Sequence, residues 1–438
     1  MLANSITSGV LGQMSGGLFY SGFLLLYGFD INEISILLLI PSIAPLLNLL
    51  SPSILERFKR RKAVLAITRL IYFTINILCV TLLPSVFGDD FRGMKIALIT
   101  LIIISNSINA LFSSGYSAWH ANFLPDNVRA DYFTSSSCIN SMVTYGVTFG
   151  LSLLTDSARA AGSEQYETIL LMMRYVAYLL AIIDVIILIV PKEYDYPVSV
   201  DKPRFKDVLT LPMKNRRFAL TMLILFATYF ATNVHTGHMD TYILNEVGVP
   251  YSLTNGINAL YFLFFIIFGS MWKKFIAKNT WFRALGLSLL IEVPSYVMLA
   301  FVNTENYLWL YVITRLYQHV LGVVRGTIVS SLVYVNLPDT DRTNYLALYT
   351  IVINAGAFLG KLFGTEFYKL TSGTALHIFS AQLTSVPMLF GLVAVFELPT
   401  AFLCLALFRK VTPEQLLREY DIRHGKMPRP VDAVRTAK

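Results

Sequence analysis

Arg315, Gln318, His319, Gly322, Arg325 and Gly326 crowd into twelve positions. On a helix of 3.6-residue period they fall within about 120° of one another, with Val320, Leu321, Val324 and Ile328 opposite. A face bearing two guanidiniums offers paired N–H donors, the geometry that suits a carboxylate or a phosphate. Three more stripes of the same kind occur. They are Asn106, Asn109, Ser113, Ser117 and His120; Thr221, Thr228, Thr232, His235, His238 and Tyr242; and Thr350, Asn354, Lys361, Thr365 and Tyr368. His235, His238 and His319 can titrate near neutral pH. Bond-breaking chemistry finds little support. His235 and His238 have no Glu between them, and Cys79, Cys138 and Cys404 sit in apolar runs without metal or redox spacing. No Gly-x-x-x-x-Gly-Lys-Ser/Thr is present, so ATP is not the direct energy source. No catalytic residue, metal or cofactor is expected, and the chain is not read as an enzyme.

The elements that carry these stripes are apolar. Hydrophobic residues make up 55% of the chain and charged ones 14%, and mean hydropathy is +0.59. Soluble domains carry about 25% charged residues, so a chain this poor in charge has no polar coat. Runs of about 20 apolar residues cross a bilayer as helices. Twelve candidates follow, spans 1 to 12, at 3–27, 33–54, 63–84, 95–118, 131–154, 168–190, 217–245, 252–272, 281–302, 306–335, 342–369 and 384–408. The first begins beside Met1 without a basic leader and is read as a retained span.

The chain also repeats itself. "LPDNVRADY" from Leu124 and "LPDTDRTNY" from Leu337 share Leu-Pro-Asp-x-x-Arg-x-x-Tyr, and each is followed by Ile-Asn-x5-Gly-x3-Gly, at Ile139-Asn140 with Gly146 and Gly150, and at Ile353-Asn354 with Gly360 and Gly364. Two linked patterns at a nearly constant offset mark two related halves. The expected domains are an N-terminal six-helix bundle (1–190), a hydrophilic linker (191–216), a C-terminal six-helix bundle (217–409) and a basic tail (410–438) holding one short helix. A weaker echo sets Glu292-Val-Pro-Ser295 in span 9 against Glu397-Leu-Pro-Thr400 in span 12.

The net charge of +8 has an orientation. Of 35 Lys and Arg, 26 lie in the loops after even-numbered spans and in the tail with its junction, and four (Arg92, Lys95, Arg159, Lys369) lie opposite. The positive-inside rule then sets both termini in the cytoplasm of a multi-pass protein of the plasma (inner) membrane. Those cations face cytoplasm and anionic headgroups, so the lipid bilayer is the expected partner and nucleic acid is not.

Twelve helices in two repeated halves, a basic central linker and cytoplasmic termini resemble the major facilitator superfamily of secondary transporters. "PSILERFKRRK" is similar to that family's loop signature Gly-x-x-x-Asp-Arg-x-Gly-x-Arg-Arg/Lys: Glu56 stands for the acid, Arg57 follows it, Arg61 and Lys62 form the basic end, and Pro52 and Lys59 replace the glycines. The resemblance implies an all-α membrane protein of two pseudo-symmetric six-helix bundles. It implies a central cavity lined by spans 1, 4, 7 and 10 with 2, 5, 8 and 11 beside them, and places spans 6, 9 and 12, with mid-span Asp184, Glu292 and Glu397, at the periphery.

The expected function is a secondary transporter moving a small, anionic solute by alternating access. Arg315, Lys361, His319, Gln318, Asn354, His235, His238, Asn106, Asn109 and Asn140 are the candidate binding residues. Glu56, Arg57, Arg61, Asp126, Arg129, Arg325, Asp339 and Arg342 are the candidate gate. Asp126 and Asp339 can cap the helices that follow, and Arg129 and Arg342 either tie neighbouring loops together or meet headgroups. A proton or another ion is the expected coupling partner. The alternatives are a receptor or scaffold that keeps the fold without transport, and a multidrug exporter. The substrate's identity and the oligomeric state do not follow from these residues.

Overall fold

The computed structural model describes residues 2–55, 58, 60–121, 126–191, 205–338, 342–378 and 381–427. It is helical almost throughout, because a backbone in hydrocarbon must satisfy its N–H and C=O groups within its own segment. Among the described residues, eleven helices are long and apolar enough to cross a membrane. Span 7 is the exception. Its helix runs only Arg216–Asn233, opened by Asn215, whose Oδ1 accepts from Phe218 N at 3.2 Å. The chain then turns irregularly to a short helix at Met239–Thr241 and a π turn at Tyr242–Glu246. The continuous helix expected over 217–245 is thus broken. Gly237 explains part of it: a Cβ there would lie 3.2 Å from Ser35, so the backbone itself approaches span 2.

Span 2 is broken by its prolines, into Ile31–Leu37, Ile40–Ile43, a 3₁₀ stretch Ala44–Leu50 and Ser51–Leu55. Span 10 starts at Leu310 rather than 306, because Asn303 and Asn306 close a turn ahead of it. Two elements lie outside the sequence expectations. A helix occupies Phe205–Lys214 within the linker, and an antiparallel strand pair, Leu376–Ile378 with Ala381–Leu383, precedes span 12. The tail carries its expected short helix, Glu414–Arg423.

By contacts the chain forms two compact units. Unit 1 holds residues 1–202, 236–259 and 364–370. Its core joins Val10, Leu11 and Phe19 of span 1, Phe73 and Ile77 of span 3 and Leu170, Ala177 and Ala181 of span 6. Small residues at this seam let helices approach closely, which is how helices associate where lipid removes the hydrophobic drive. Unit 2 holds 203–235, 260–363 and 371–438. Its core gathers Ile224 and Leu225, Phe282, Leu285 and Leu289, Val324 and Ile328, and Ala401 and Cys404. Span 10 therefore buries its Val324–Ile328 side, opposite the polar stripe. Span 11 (Arg342–Thr371) rides on span 7 backbone to backbone, since a Cβ on Gly360 would come within 2.4 Å of the Phe230 carbonyl. Among the described residues, its repeat counterpart Gly146 has nothing within 4 Å of a Cβ, and neither has Gly150.

Candidate functional site

In unit 2, Gly286 sets the geometry of spans 9 (Trp281–Ala300) and 12 (Ser385–Val411). A Cβ there would stand 2.9 Å from the Ala401 carbonyl. That close crossing brings Glu292 and Glu397, the two acids of the sequence echo, to one guanidinium. Arg325 Nη1 lies 2.6 Å from Glu292 Oε1 and 3.8 Å from Glu397 Oε1, and both carboxylates are fully buried. The Tyr296 hydroxyl also bonds Arg325. Both oxygens of Glu397 and Oε2 of Glu292 have no hydrogen-bond donor among the described residues. The resemblance had set these acids apart from the cavity cations; the crossing at Gly286 joins them to Arg325.

Farther along span 10, Arg315 Nη1 donates to Gln318 Oε1 at 2.8 Å, and Gln318 Nε2 donates to Ser295 Oγ at 3.2 Å. The guanidinium is thus oriented by a neutral amide, itself anchored to span 9. His319 meets Tyr261 edge-on at 5.5 Å. His235 packs edge-on against Tyr296 at 5.3 Å and Phe390 at 5.7 Å, so it adjoins the Arg325 cluster. Arg315 and Gln318 therefore join Ser295, and Arg325 and His235 join Glu292 and Tyr296, so span 9 links them into one polar layer of unit 2, while His319 lies against Tyr261. Lys361 is half-buried on span 11, and Asn354 donates back to Thr350 O of its own helix.

Unit 1 receives the rest. His238 is fully buried there and stacks on Tyr368 at 4.8 Å, so the two histidines of one stripe part company at the break in span 7. Asn106 bonds Ile102 O, and Asn140 accepts from Thr144 where Gly9 of span 1 crosses it; Asn109 is half-buried. Of the expected gate, Glu56, Arg57 and Asp339 lie outside the described residues. Asp126 and Arg342 are the first residues of their helices, with Arg129 in the first turn, and Arg61 Nε donates to Phe58 O at 3.3 Å just before span 3.

Two cations of unit 1, half-buried Arg69 and buried Arg174, are not singled out by the sequence. Arg69 Nε bonds Asp184 Oδ2 at 2.6 Å and its Nη2 donates to Ser8 Oγ, while Asp184 Oδ1 accepts from Asn4 at 2.6 Å and Thr7 at 3.0 Å. Arg174 donates to Thr81 Oγ1 and to the carbonyls of Asn76 and Ile77, which lie in the π turn Thr74–Cys79, and it rests over the Phe23 ring at 4.4 Å. A charge inside an apolar run was the signal available for both.

A third set of contacts in unit 1 holds the start of span 8 (Tyr251–Asn279). Asp156 accepts from the backbone N–H of Tyr251 and of Ser252, each at 2.8 Å, which satisfies two orphan donors at a helix start. The Tyr251 ring is buried, stacked on Phe19 at 5.4 Å, with its hydroxyl 2.7 Å from that of Tyr166. Asn255 donates to Ser152, and Ser35 and Thr365 hydroxyls meet at 2.9 Å.

Comparison with known proteins bears on this arrangement. The sequence profile of the Major Facilitator Superfamily matches residues 2–361. No curated protein matches the chain. Among solved structures, it is similar to the inward-open xylose transporter XylE from E. coli (TM-score 0.65, 13% identity, 96% of this chain and 97% of that one). It is similar also to the nucleoside transporter NupG (TM-score 0.61, 13% identity, 93% and 98%). A bacterial homologue of the iron transporter ferroportin, inward-facing, matches at TM-score 0.65 and 11% identity, over 94% and 98%.

Proposed function

Since the chain belongs to the Major Facilitator Superfamily, we propose that it is a secondary transporter that carries a small anionic solute by alternating access, with both termini cytoplasmic. The observation that carries the anionic reading is Arg315. Its Nη1 donates to Gln318 Oε1, and Gln318 is itself anchored to Ser295, so neutral groups orient the guanidinium. A planar donor fork fixed in this way suits a carboxylate or phosphate. Lys361, His319 and Asn354 complete the binding set, as proposed from their stripes. Asp156, Tyr251 and Asn255 are the contacts that must open when access passes to the other side.

The coupling ion is assigned here to Glu292 and Glu397. Buried carboxylate oxygens without donors, such as Glu292 Oε2 and both of Glu397, are expensive in an apolar medium, and a proton is the smallest ligand that relieves them. Arg325 offsets one of the two charges, and Arg315 adds its field at Glu292. A proton arriving with the anionic solute keeps the layer close to neutral.

Uptake into proteoliposomes tests the reading. Arg315→Ala and Lys361→Ala should each lower flux of an anionic substrate by about tenfold or more, the loss of a charged hydrogen bond. A thermal-shift screen against anionic, neutral and cationic metabolites finds the substrate, since a ligand of the native state raises its apparent stability. Stabilisation by cations alone would overturn the anionic assignment, and ligand binding without flux would mark a receptor.

A further inference from the structure

A cavity of about 620 Å³ opens in unit 2, away from the polar layer just described. It lies between span 8, the start of span 9, Thr327 of span 10 and the tail helix Glu414–Arg423. That volume is within the range of about 300–1,000 Å³ typical of small-molecule sites.

Its walls and its rim differ. Phe265, Trp272, Trp281 and Tyr420 make the walls aromatic. Lys273 and Arg423 stand on the rim against a single acid, Glu419, which lies 3.3 Å from the Arg423 guanidinium. Lys273 has no ion pair or hydrogen bond among the described residues. Arg283 and Lys426 lie over the Tyr420 ring at 5.3 and 5.7 Å, so the surrounding field is positive.

A second observation comes from Thr280 on the wall. It is 7% exposed, its Oγ1 has no partner among the described residues, and its φ of 67° lies in the left-handed region. A β-branched residue is rarely held there, and such strain tends to cluster at ligand sites. The hydroxyl is an unused hydrogen-bonding group beside an empty volume.

From these features we propose that the cavity binds an anionic amphiphile: an acyl or alkyl chain against the aromatic walls, with a phosphate- or carboxylate-type head between Lys273 and Arg423. A free anion would leave the apolar walls unfilled, and a neutral lipid would leave Lys273 unmatched. The chain's own end from Pro428 carries Arg429, Arg435 and Lys438 against Asp432, so it would add like charge to the rim. The cavity also faces the side that bears most of the loop cations, where basic pockets between helices meet anionic headgroups. This proposal does not depend on the transport reading.

The test titrates the full chain, purified in an uncharged detergent, with phosphatidylglycerol, phosphatidylcholine, dodecyl phosphate or inorganic phosphate, following the melting temperature. Phosphatidylglycerol and dodecyl phosphate should raise it, and the other two should not. Lys273→Gln should weaken the response about fivefold, the worth of one cation near an anionic head. Gly269→Leu should abolish it without lowering the ligand-free melting temperature, because nothing lies within 4 Å of a Cβ there and the side chain enters the cavity. An equal response to phosphatidylcholine would overturn the proposal in favour of an unselective groove. A response to inorganic phosphate alone would make it a free-anion site. No response to any probe, or one undiminished in both variants, would remove the site altogether.

Discussion

Asp184 lies in span 6 and Glu397 in span 12, the last spans of the two sequence halves. Both are fully buried acids. Their surroundings are opposite. Asp184 faces one guanidinium and two further donors, and each of its oxygens is bonded. Glu397 shares one guanidinium with Glu292, and neither of its oxygens receives a hydrogen bond among the described residues. One acid is closed as a clasp, and the other is left without a hydrogen-bond donor among the described residues. A satisfied buried pair fixes helices in place. An unsatisfied one is retained at a cost that needs a function to explain it.

The comparison can be broken most directly at Asp184. Asp184→Ala leaves the Arg69 charge without its acid in the interior, and should cost about 3–5 kcal/mol of stability, read from unfolding in detergent. Glu397→Gln should cost about 1 kcal/mol or less, since it removes no hydrogen bond, and should flatten the pH dependence of uptake. Equal losses in the two variants would erase the distinction.

The glycines sharpen it next. Gly360→Ala forces a methyl against the Phe230 carbonyl and should destabilise by about 1–3 kcal/mol. Its counterpart Gly146→Ala meets open space and should be neutral or stabilising by up to about 1 kcal/mol, from helix propensity. A reversed order in thermal unfolding would show that span 5, not span 11, is the tightly packed copy. The smallest effect is expected at Asp156. Asp156→Ala removes the cap on span 8 and should cost about 1 kcal/mol, seen as faster labelling of a cysteine placed at Ser252. Unchanged labelling would remove Asp156 from the opening step.

The spans were legible in the sequence because apolar length is a strong signal, and the halves were legible because Leu-Pro-Asp-x-x-Arg-x-x-Tyr is written twice. The break in span 7 was not, since Val234–His238 is apolar and polar enough to continue a stripe, and only the neighbouring Ser35 shows why Gly237 is needed there. The candidate site was half legible. The angular stripe of span 10 picked out Arg315, Gln318, His319 and Arg325. The Glu292 and Glu397 echo signalled kinship between two helices but not that they meet. Arg69 and Asp184 lie 115 positions apart, and nothing local to either names the other.

The two bonds that tie Asp156 to span 8 come from main-chain N–H groups, not from the side chains of Tyr251 and Ser252. Drift at those two positions therefore leaves the attachment intact for every amino acid but proline. Among related chains, Asp156 should vary less than the residues it grips, and a proline at 252 should arise only together with a change at 156.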